Sequence, residues 1–201
     1  MKDWTENKCS ACSTLGANTF SKNARDINDY YATEPKALEL LLDLKEIEFS
    51  KNIWECACGE LHLSNVLKRH GYNVRNSDIV DRLHNNQIEI LDFLASNEQW
   101  NGDIITNPPY KYGKEFVEKA LSVIQNGHKV VMFLKLQFLE TKSRKKLFEI
   151  YPPKVIYVSS KRLHCAMNGD FEKFKQASAV CYAWFVWEKG FRGEPTVRWF
   201  N

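Results

Sequence analysis

From residue 29 onward, segments with the apolar spacing of helices alternate along the chain with short apolar segments typical of strands. Helical spacing occurs in "EPKALELLLDLKEI", "LHLSNVLKRHG" and "GKEFVEKALSVIQNG", and the last two end at a glycine. We predict strands in "NIWECA", "YNVRNSDI", "GDIITN", "KVVMFLKLQFL", "KVIYVSS" and "SAVCYAWFVWEKG", and a weaker strand or a turn in "QIEILDFLAS". Strands that alternate with helices form a mostly parallel sheet with helices on both faces. The pattern therefore predicts an α/β fold.

The first 28 residues differ from the rest because they are polar and lack apolar residues at regular spacing. We expect residues 1–28 to form a partly ordered arm and residues 29–201 to form one domain. A hydrophobic content of 44% over 201 residues is sufficient for a substantial core. No apolar run reaches the roughly 18 residues of a membrane span, and the N-terminus lacks the apolar segment of a secretory signal. We therefore expect a cytoplasmic protein that does not contact a membrane.

The six cysteines give little support for a metal site or a reactive thiol. Cys9 and Cys12 have half of the spacing of a zinc site, but no second C-x-x-C or H-x-x-x-H pair accompanies them. Cys56 and Cys58 have the wrong spacing for zinc, and no histidine is paired with them in a motif. We expect reduced thiols, no metal, and small buried side chains at Cys56 and Cys58.

Unusual polar residues follow several predicted strands at the point where each strand ends. They are "ECACGE" after the first of these strands, Asp78 after the second, Asp92 near the third and "NPPY" after the fourth. Parallel α/β sheets bind ligands outside the carboxyl ends of their strands, and a carboxylate at the end of the second strand commonly accepts ribose hydroxyls. We predict a ligand site there. Asp78 could instead cap a turn, and Asp92 could lie on an ordinary amphipathic surface.

The segment "DIITNPPY", residues 103–110, places an amide, two prolines and a tyrosine directly after an apolar strand. Prolines stiffen the backbone, so the Asn107 side-chain oxygen and the Pro108 carbonyl can be held as two acceptors in one small space. Two acceptors suit an sp² amino group, which has two N–H donors, and such contacts free its lone pair for attack. Tyr110 offers a ring face on which a flat group can stack. The alternative is a rigid turn with a packed tyrosine.

In this position, "TNPPY" resembles the fourth motif of amino-methyltransferases that use S-adenosylmethionine. The chain is similar to small phage- and prophage-type DNA N6-adenine methyltransferases from about residue 14 to the C-terminus, through "NDYYATEPKALEL", "WECACGELHLSNVL", "SDI", "DFL" and "TNPPY" in that order. The resemblance implies a Rossmann-like class I methyltransferase with a mostly parallel seven-stranded sheet and helices on both faces. "NPPY" alone is shared with glutamine methyltransferases, whereas the ordered set is more specific.

The resemblance implies S-adenosylmethionine as the cofactor and assigns roles to residues in these segments. Asn107, Pro108 and Tyr110 would hold the target amino group, and Pro109 would shape the loop. The residues that would bind the cofactor are Tyr31, Thr33, Pro35, Glu55, Cys56, Cys58, Gly59, Asp78, Ile79, Asp92, Phe93 and Asn107.

One position departs from the pattern of the family. Related loops usually have a second glycine where "CGELHL" has Leu61, and a branched side chain there could crowd the cofactor. A non-catalytic binding protein on a methyltransferase scaffold is therefore one alternative. An amino-methyltransferase that acts on RNA or on a protein glutamine is another.

Methyl transfer to the exocyclic N6 of a flipped-out adenine in DNA is the function that the resemblance implies. For substrate contacts we single out Tyr110, Lys135, Lys161 and Arg162. Lys161 and Arg162 belong to the basic and aromatic loop "SSKRLHCAMNGDFEKFK", which could touch phosphates, while Lys135 could be an ordinary edge residue. A net charge of +3 fits nucleic-acid binding without requiring it. We expect a monomer or a homodimer.

Overall fold

The computed structural model describes residues 31–161, 163, 165–167 and 180–201. Its strands are β1 (Tyr31–Thr33), β2 (Asn52–Glu55), β3 (Asn73–Asp78), β4 (Glu89–Ile90), β5 (Asp103–Thr106), β6 (Lys129–Lys135), β7 (Val155–Ser159), β8 (Cys165–Met167), β9 (Tyr182–Glu188) and β10 (Thr196–Phe200). Its helices are α1 (Pro35–Asp43), α2 (His62–Arg69), α3 (Gly113–Val123) and α4 (Lys142–Ile150), with short 3₁₀ helices at Tyr110–Tyr112 and Leu136–Leu139. Within these segments, none of the helices is long and apolar enough to cross a membrane.

Eight of these strands form one mostly parallel sheet in the order β10-β7-β9-β6-β5-β2-β3-β4. β9 runs antiparallel to β6 and β7, and the remaining pairs of this sheet are parallel. β1 and β8 form a separate antiparallel pair. The prediction of a mostly parallel α/β sheet is confirmed, but the described residues give eight strands in it where seven were expected, because β10 adds an edge next to β7.

The sheet is buried on both faces, as a parallel sheet with helices on each side requires. In β6, Met132 packs with α3 and α4 on one face, while Phe133 packs with α1 and α2 on the other. In the sheet, β3 lies on one side of β2 and β5 lies on the other side. The strand order therefore reverses its direction at β2. This reversal of direction beside β2 is where sheets of this kind leave a crevice for a ligand.

Three features of the fold do not follow from the apolar pattern. α4 was not predicted, because Leu147 is its one fully buried residue and no periodic apolar face results. β10 was not predicted, and four of its five residues are exposed, so its alternation of polar and apolar residues does not produce a buried face. The segment "LQFL" was predicted to extend the β6 strand but forms a 3₁₀ helix, since β6 ends at Lys135 and the Leu136 amide donates to the carbonyl of Cys181.

Some sequence predictions concern residues outside the described part of the chain. These are the arm over residues 1–28 with Cys9 and Cys12, Arg162, and most of the basic loop from residue 164 to residue 175. The backbone of Tyr31 is described, but its side chain is not.

Candidate active site

A cavity of about 410 Å³ lies at the carboxyl ends of β2, β3 and β5, next to the reversal of chain direction. Its volume falls within the range of small-molecule sites, about 300–1,000 Å³. Most of the predicted site residues line it: Thr33, Glu55, Cys56, Cys58, Asp78, Ile79, Asp92, Phe93, Asn107, Pro108 and Pro109. The fold therefore brings together residues that are up to 76 positions apart in the sequence.

Five predicted residues lie outside the lining of this cavity: Pro35, Gly59, Tyr110, Lys135 and Lys161. Pro35 occupies the first turn of α1, directly after Thr33 and Glu34. Gly59 is buried in the loop after β2, with its amide directed to Asp78. Lys161 is exposed beyond the end of β7.

Asp78 joins two of the loops that border the cavity. It is buried at the end of β3, where its Oδ2 accepts a hydrogen bond of 2.8 Å from the Gly59 amide and its Oδ1 accepts one of 3.2 Å from the Val80 amide. Gly59 has φ of +50°, a left-handed conformation that glycine adopts without steric cost. The backbone contacts fix the orientation of a carboxylate whose further lone pairs can accept from a ligand.

Glu55 is fully buried at the end of β2, and burial raises the pKa of its carboxyl group to about 8. The hydroxyl of Ser64 is in hydrogen-bond contact with both Glu55 and the side-chain oxygen of Asn76. Donation from the Ser64 hydroxyl to Glu55 lowers the pKa of the carboxyl group, but the effect of burial is larger. Glu55 is thus held in the cavity wall as a carboxylic acid at neutral pH.

The thiols of Cys56 and Cys58 are buried in the same wall. Burial raises the pKa of both thiols above the ordinary value, and the nearby Glu55 acts in the same direction. Both groups therefore stay protonated and are poor nucleophiles. They serve as small apolar side chains that shape the cavity.

Asp92 and Phe93 take different positions at the rim. Asp92 is exposed and caps a turn, because its Oδ1 accepts from the Leu94 amide at 3.0 Å. The ring of Phe93 is buried, with its centroid 5.1 Å from that of Trp54 and 5.3 Å from that of Phe116. The ring belongs to the core, so the backbone of this residue is the part that borders the cavity.

The "NPPY" turn presents its first three residues to the cavity and its tyrosine elsewhere. Pro108 is buried, and Asn107 and Pro109 are half-buried in the lining. The Tyr110 ring lies between Tyr182, at a centroid distance of 6.1 Å, and the ammonium group of Lys135, at 5.0 Å.

Several lining residues were missed by the sequence pattern, above all Tyr112, which is 44% exposed at the cavity rim. A second aromatic residue two positions after Tyr110 was the available signal. His62 also lines the cavity, and so do the cationic side chains of Arg82 and Lys111, which accompany the three carboxyl groups. Among the described residues, no three His, Cys, Asp or Glu side chains cluster as a metal site would require.

Leu61 does not lie in the lining of the cavity. Its side chain is buried, and its φ of +65° places its backbone in the left-handed region before α2. The departure from glycine therefore costs backbone strain, which is about 1–2 kcal/mol for such a residue. It does not narrow the space that a ligand would occupy.

Thr33 supplies an unused polar group to the cavity. Its side chain is 3% exposed, and its Oγ1 has no hydrogen-bond partner among the described residues. A buried hydroxyl without a partner is costly, so natural proteins retain one mainly where a ligand satisfies it. Thr33 lies at the end of β1, above the loop that follows β2.

No protein-family model and no curated protein matches this sequence. Solved structures do match its fold. A proposed class I S-adenosylmethionine-dependent methyltransferase from Listeria monocytogenes has 16% identity and a TM-score of 0.59, covering 89% of this chain and 68% of its own. A proposed RNA methyltransferase from Pyrococcus horikoshii has 15% identity and a TM-score of 0.58, and the match covers 95% of this chain and 100% of that one.

A third similar structure is a modification subunit of a proposed type I restriction enzyme from Vibrio vulnificus. It has 10% identity and a TM-score of 0.54, and the match covers 86% of this chain and 46% of that one. At such identities the likeness shows the fold alone. The chain has the Rossmann-like fold of class I methyltransferases.

Proposed function

We propose that this chain is an S-adenosylmethionine-dependent methyltransferase that methylates the exocyclic N6 of adenine in DNA. One observation carries the proposal: Asn107 and Pro108 line the same cavity as Asp78. Two residues with acceptors suited to a planar amino group therefore border the same cavity as a carboxylate suited to ribose hydroxyls.

The cavity fits the cofactor in its chemistry as well as its size. Asp78 would accept the ribose hydroxyls, and the hydroxyl of Thr33, which has no partner within the described part of the chain, would gain a hydrogen bond. Apolar walls from Ile79, Leu91 and Leu94 suit the adenine ring. Glu55 has a raised pKa in the free protein, and a cationic ligand beside it would lower the pKa of this carboxyl group.

Catalysis would come from positioning and from polarisation of the amino group. When bound, S-adenosylmethionine supplies a methyl group on a sulfonium, and sulfur keeps the electron pair of the broken carbon–sulfur bond. Asn107 and Pro108 would accept the two N–H hydrogen bonds of the adenine amino group and so direct the nitrogen lone pair to the methyl carbon. The amino nitrogen held by Asn107 and Pro108 would take the methyl group as the carbon–sulfur bond breaks, and it would then lose one N–H proton to water.

RNA is the second candidate substrate. The likeness to a modification subunit of a proposed restriction enzyme favours DNA, and the likeness to a proposed RNA methyltransferase favours RNA. Both substrates offer the same adenine amino group to Asn107, so the cavity alone does not separate them. The order of the sequence segments resembles that of DNA N6-adenine methyltransferases, and we therefore propose DNA.

The test is methyl transfer from labelled S-adenosylmethionine to adenine-containing duplex DNA, followed by digestion and separation of the nucleosides. We expect label in N6-methyldeoxyadenosine and a loss of about 100-fold or more in kcat for Asn107→Ala. Asn65→Ala, at an exposed position on α2, is the matched control and should retain full activity. Label in RNA or in a glutamine peptide alone would contradict the DNA assignment, and a failure to bind the cofactor at all would favour the binding-protein alternative.

A further inference from the structure

A basic surface on α4 lies beside the "NPPY" turn, in a helix that the sequence pattern did not reveal. We propose that the exposed lysines of α4, which are Lys142, Lys145 and Lys146, bind the phosphate backbone of duplex DNA next to the target adenine. The inference rests on the proposed function, because it assigns a surface to the substrate of the same site.

The charge of the chain is concentrated in this helix. α4 reads "KSRKKLFEI", so it has four basic residues and one acidic residue. Its net charge of +3 equals the formal net charge of the entire chain, +3. All other segments together are therefore neutral, and α4 has a larger positive excess than α2 or β6, each of which has two basic and no acidic residues. The small net charge of the whole chain gives no indication of this uneven distribution of positive charge.

The positions of several charges in α4 lower the stability of this helix. The first turn has no acidic residue and the last turn has no basic residue, although the dipole of a helix favours the opposite arrangement. Lys142 and Lys146 are four positions apart, so two like charges face each other on one side of the helix. A bound polyanion would offset both unfavourable effects. Binding of phosphates would therefore explain why the helix has these charges.

The three lysines are available to a partner. Each is exposed, and among the described residues Lys142 and Lys146 form no ion pair. Lys145 lies 3.0 Å from Glu149, but both side chains are largely in water, where such a pair is weak. Arg144 differs, because its guanidinium packs over the Phe138 ring at 4.9 Å and donates to the Gln137 carbonyl. Arg144 anchors the helix and is not counted in the surface.

The packing of α4 connects this helix to the start of α3, which follows the "NPPY" turn. Phe148 of α4 contacts Phe138 edge-to-face at 5.8 Å. Phe138 in turn lies against Gly113, where an added Cβ would be 3.1 Å from its ring. Gly113 begins α3 three residues after Tyr110. A duplex that presents an adenine to Asn107 would have its backbone within reach of α4, and lysine ammonium groups suit phosphates as point charges.

The experiment compares two triple variants with equal changes of charge. The test variant is Lys142→Gln/Lys145→Gln/Lys146→Gln, and glutamine keeps the helix propensity of lysine. The control variant is Lys45→Gln/Lys51→Gln/Lys68→Gln, whose exposed lysines lie toward the amino ends of the strands, away from the cavity. Affinity for a labelled duplex is measured by fluorescence anisotropy between 50 and 200 mM salt, a range in which phosphate contacts weaken strongly. Affinity for S-adenosylmethionine and stability to denaturant are measured in parallel.

For the test variant we expect at least about tenfold weaker duplex binding, and a salt slope smaller in magnitude by about 3. Its affinity for S-adenosylmethionine and its stability should not fall, and the control variant should keep its salt slope. Equal losses in both variants, no loss in the test variant, or a larger loss for duplex RNA than for DNA would overturn the proposal. If the test variant binds the duplex as tightly as wild type and adenine is methylated, the proposed surface is wrong but the proposed function stands. Duplex binding through α4 without methylation of adenine would overturn the proposed function instead.

Discussion

The ammonium group of Lys135 lies over the Tyr110 ring, 5.0 Å from its centroid, and Tyr182 packs against the same ring. Lys135 and Tyr182 are directly opposite each other in the antiparallel β6–β9 pair. One cross-strand pair therefore fixes the position of the tyrosine in the "NPPY" turn. A flat base can stack fully on Tyr110 only after the Lys135 side chain leaves the ring.

The first prediction concerns the ring of Tyr110. We expect Tyr110→Ala to lower kcat/KM for DNA by about 5- to 150-fold, because base–aromatic stacking contributes about 1–3 kcal/mol. Tyr110→Phe keeps the ring face and should retain activity. Affinity for S-adenosylmethionine, measured by calorimetry, should be the same in both variants, since Tyr110 lies outside the cavity lining. An equal loss in Tyr110→Phe would show that the hydroxyl matters and that stacking does not.

The second prediction separates two roles of Lys135. Lys135→Met removes the cation but keeps an apolar stem, and a cation over a ring contributes about 0.5–2 kcal/mol. We expect a target base to enter more readily in the variant, seen as stronger fluorescence of 2-aminopurine at the target position. Lys129→Met, at the opposite end of β6, is the matched control. Weaker fluorescence in Lys135→Met would contradict this and favour the substrate-binding role that the sequence predicted.

The position of the site was predictable because it depends on where strands end. Asp78 is the last residue of β3, Asn107 directly follows β5, and parallel strands bring their carboxyl ends to one edge. The direction of the Tyr110 ring was not predictable. It depends on a cross-strand pair more than 20 residues further along the chain, which no local pattern encodes.

The same limit applies to parts of the fold. β6 is apolar between its two terminal lysines and was predicted, whereas α4 buries little and is held by Leu147 and by Arg144 on Phe138. β10 is identified by its backbone pairing with β7, and four of its five residues are exposed. Elements fixed by packing of their own apolar face were visible in the sequence, and elements fixed by a few contacts with distant residues were not.

The third prediction concerns the ionisation of Glu55. Its pKa is raised from 4.5 to about 8 in the folded protein, so the folded state holds a proton that the unfolded state releases. The stability from this proton is fully present below about pH 4.5 and is lost as pH rises to about 8, with a limiting value on the order of 5 kcal/mol. We expect Glu55→Gln to lack this decline and to exceed the wild-type protein in stability at pH 9.

Urea denaturation at several pH values measures the difference between wild type and Glu55→Gln. Glu48→Gln, at an exposed position, is the control and should follow the wild-type profile. Parallel profiles for wild type and Glu55→Gln would mean that Glu55 is ionised in the folded protein throughout this range.

The fourth prediction concerns the backbone of Leu61. Leu61→Gly relieves a left-handed conformation that costs about 1–2 kcal/mol but loses the burial of a leucine side chain, which contributes about 1.5–3 kcal/mol. Glycine also adds flexibility to the unfolded chain. We expect a net loss of about 1–2 kcal/mol in denaturant unfolding, with affinity for S-adenosylmethionine unchanged. A tightening of cofactor binding by about tenfold or more would show that Leu61 crowds the cofactor after all.

The fifth prediction concerns the buried hydroxyl of Thr33, which has no hydrogen-bond partner among the described residues. Thr33→Val keeps the shape of the side chain and removes a group whose burial without a partner costs about 1–3 kcal/mol. We expect the free protein to unfold with about 1 kcal/mol greater free energy, and S-adenosylmethionine to bind about tenfold more weakly because it loses a hydroxyl contact. Thr33→Ser keeps the hydroxyl and should keep the affinity, as calorimetry would show. Stabilisation without any loss of affinity would mean that the cofactor does not use this group, and destabilisation would mean that the hydroxyl is already satisfied in the free protein.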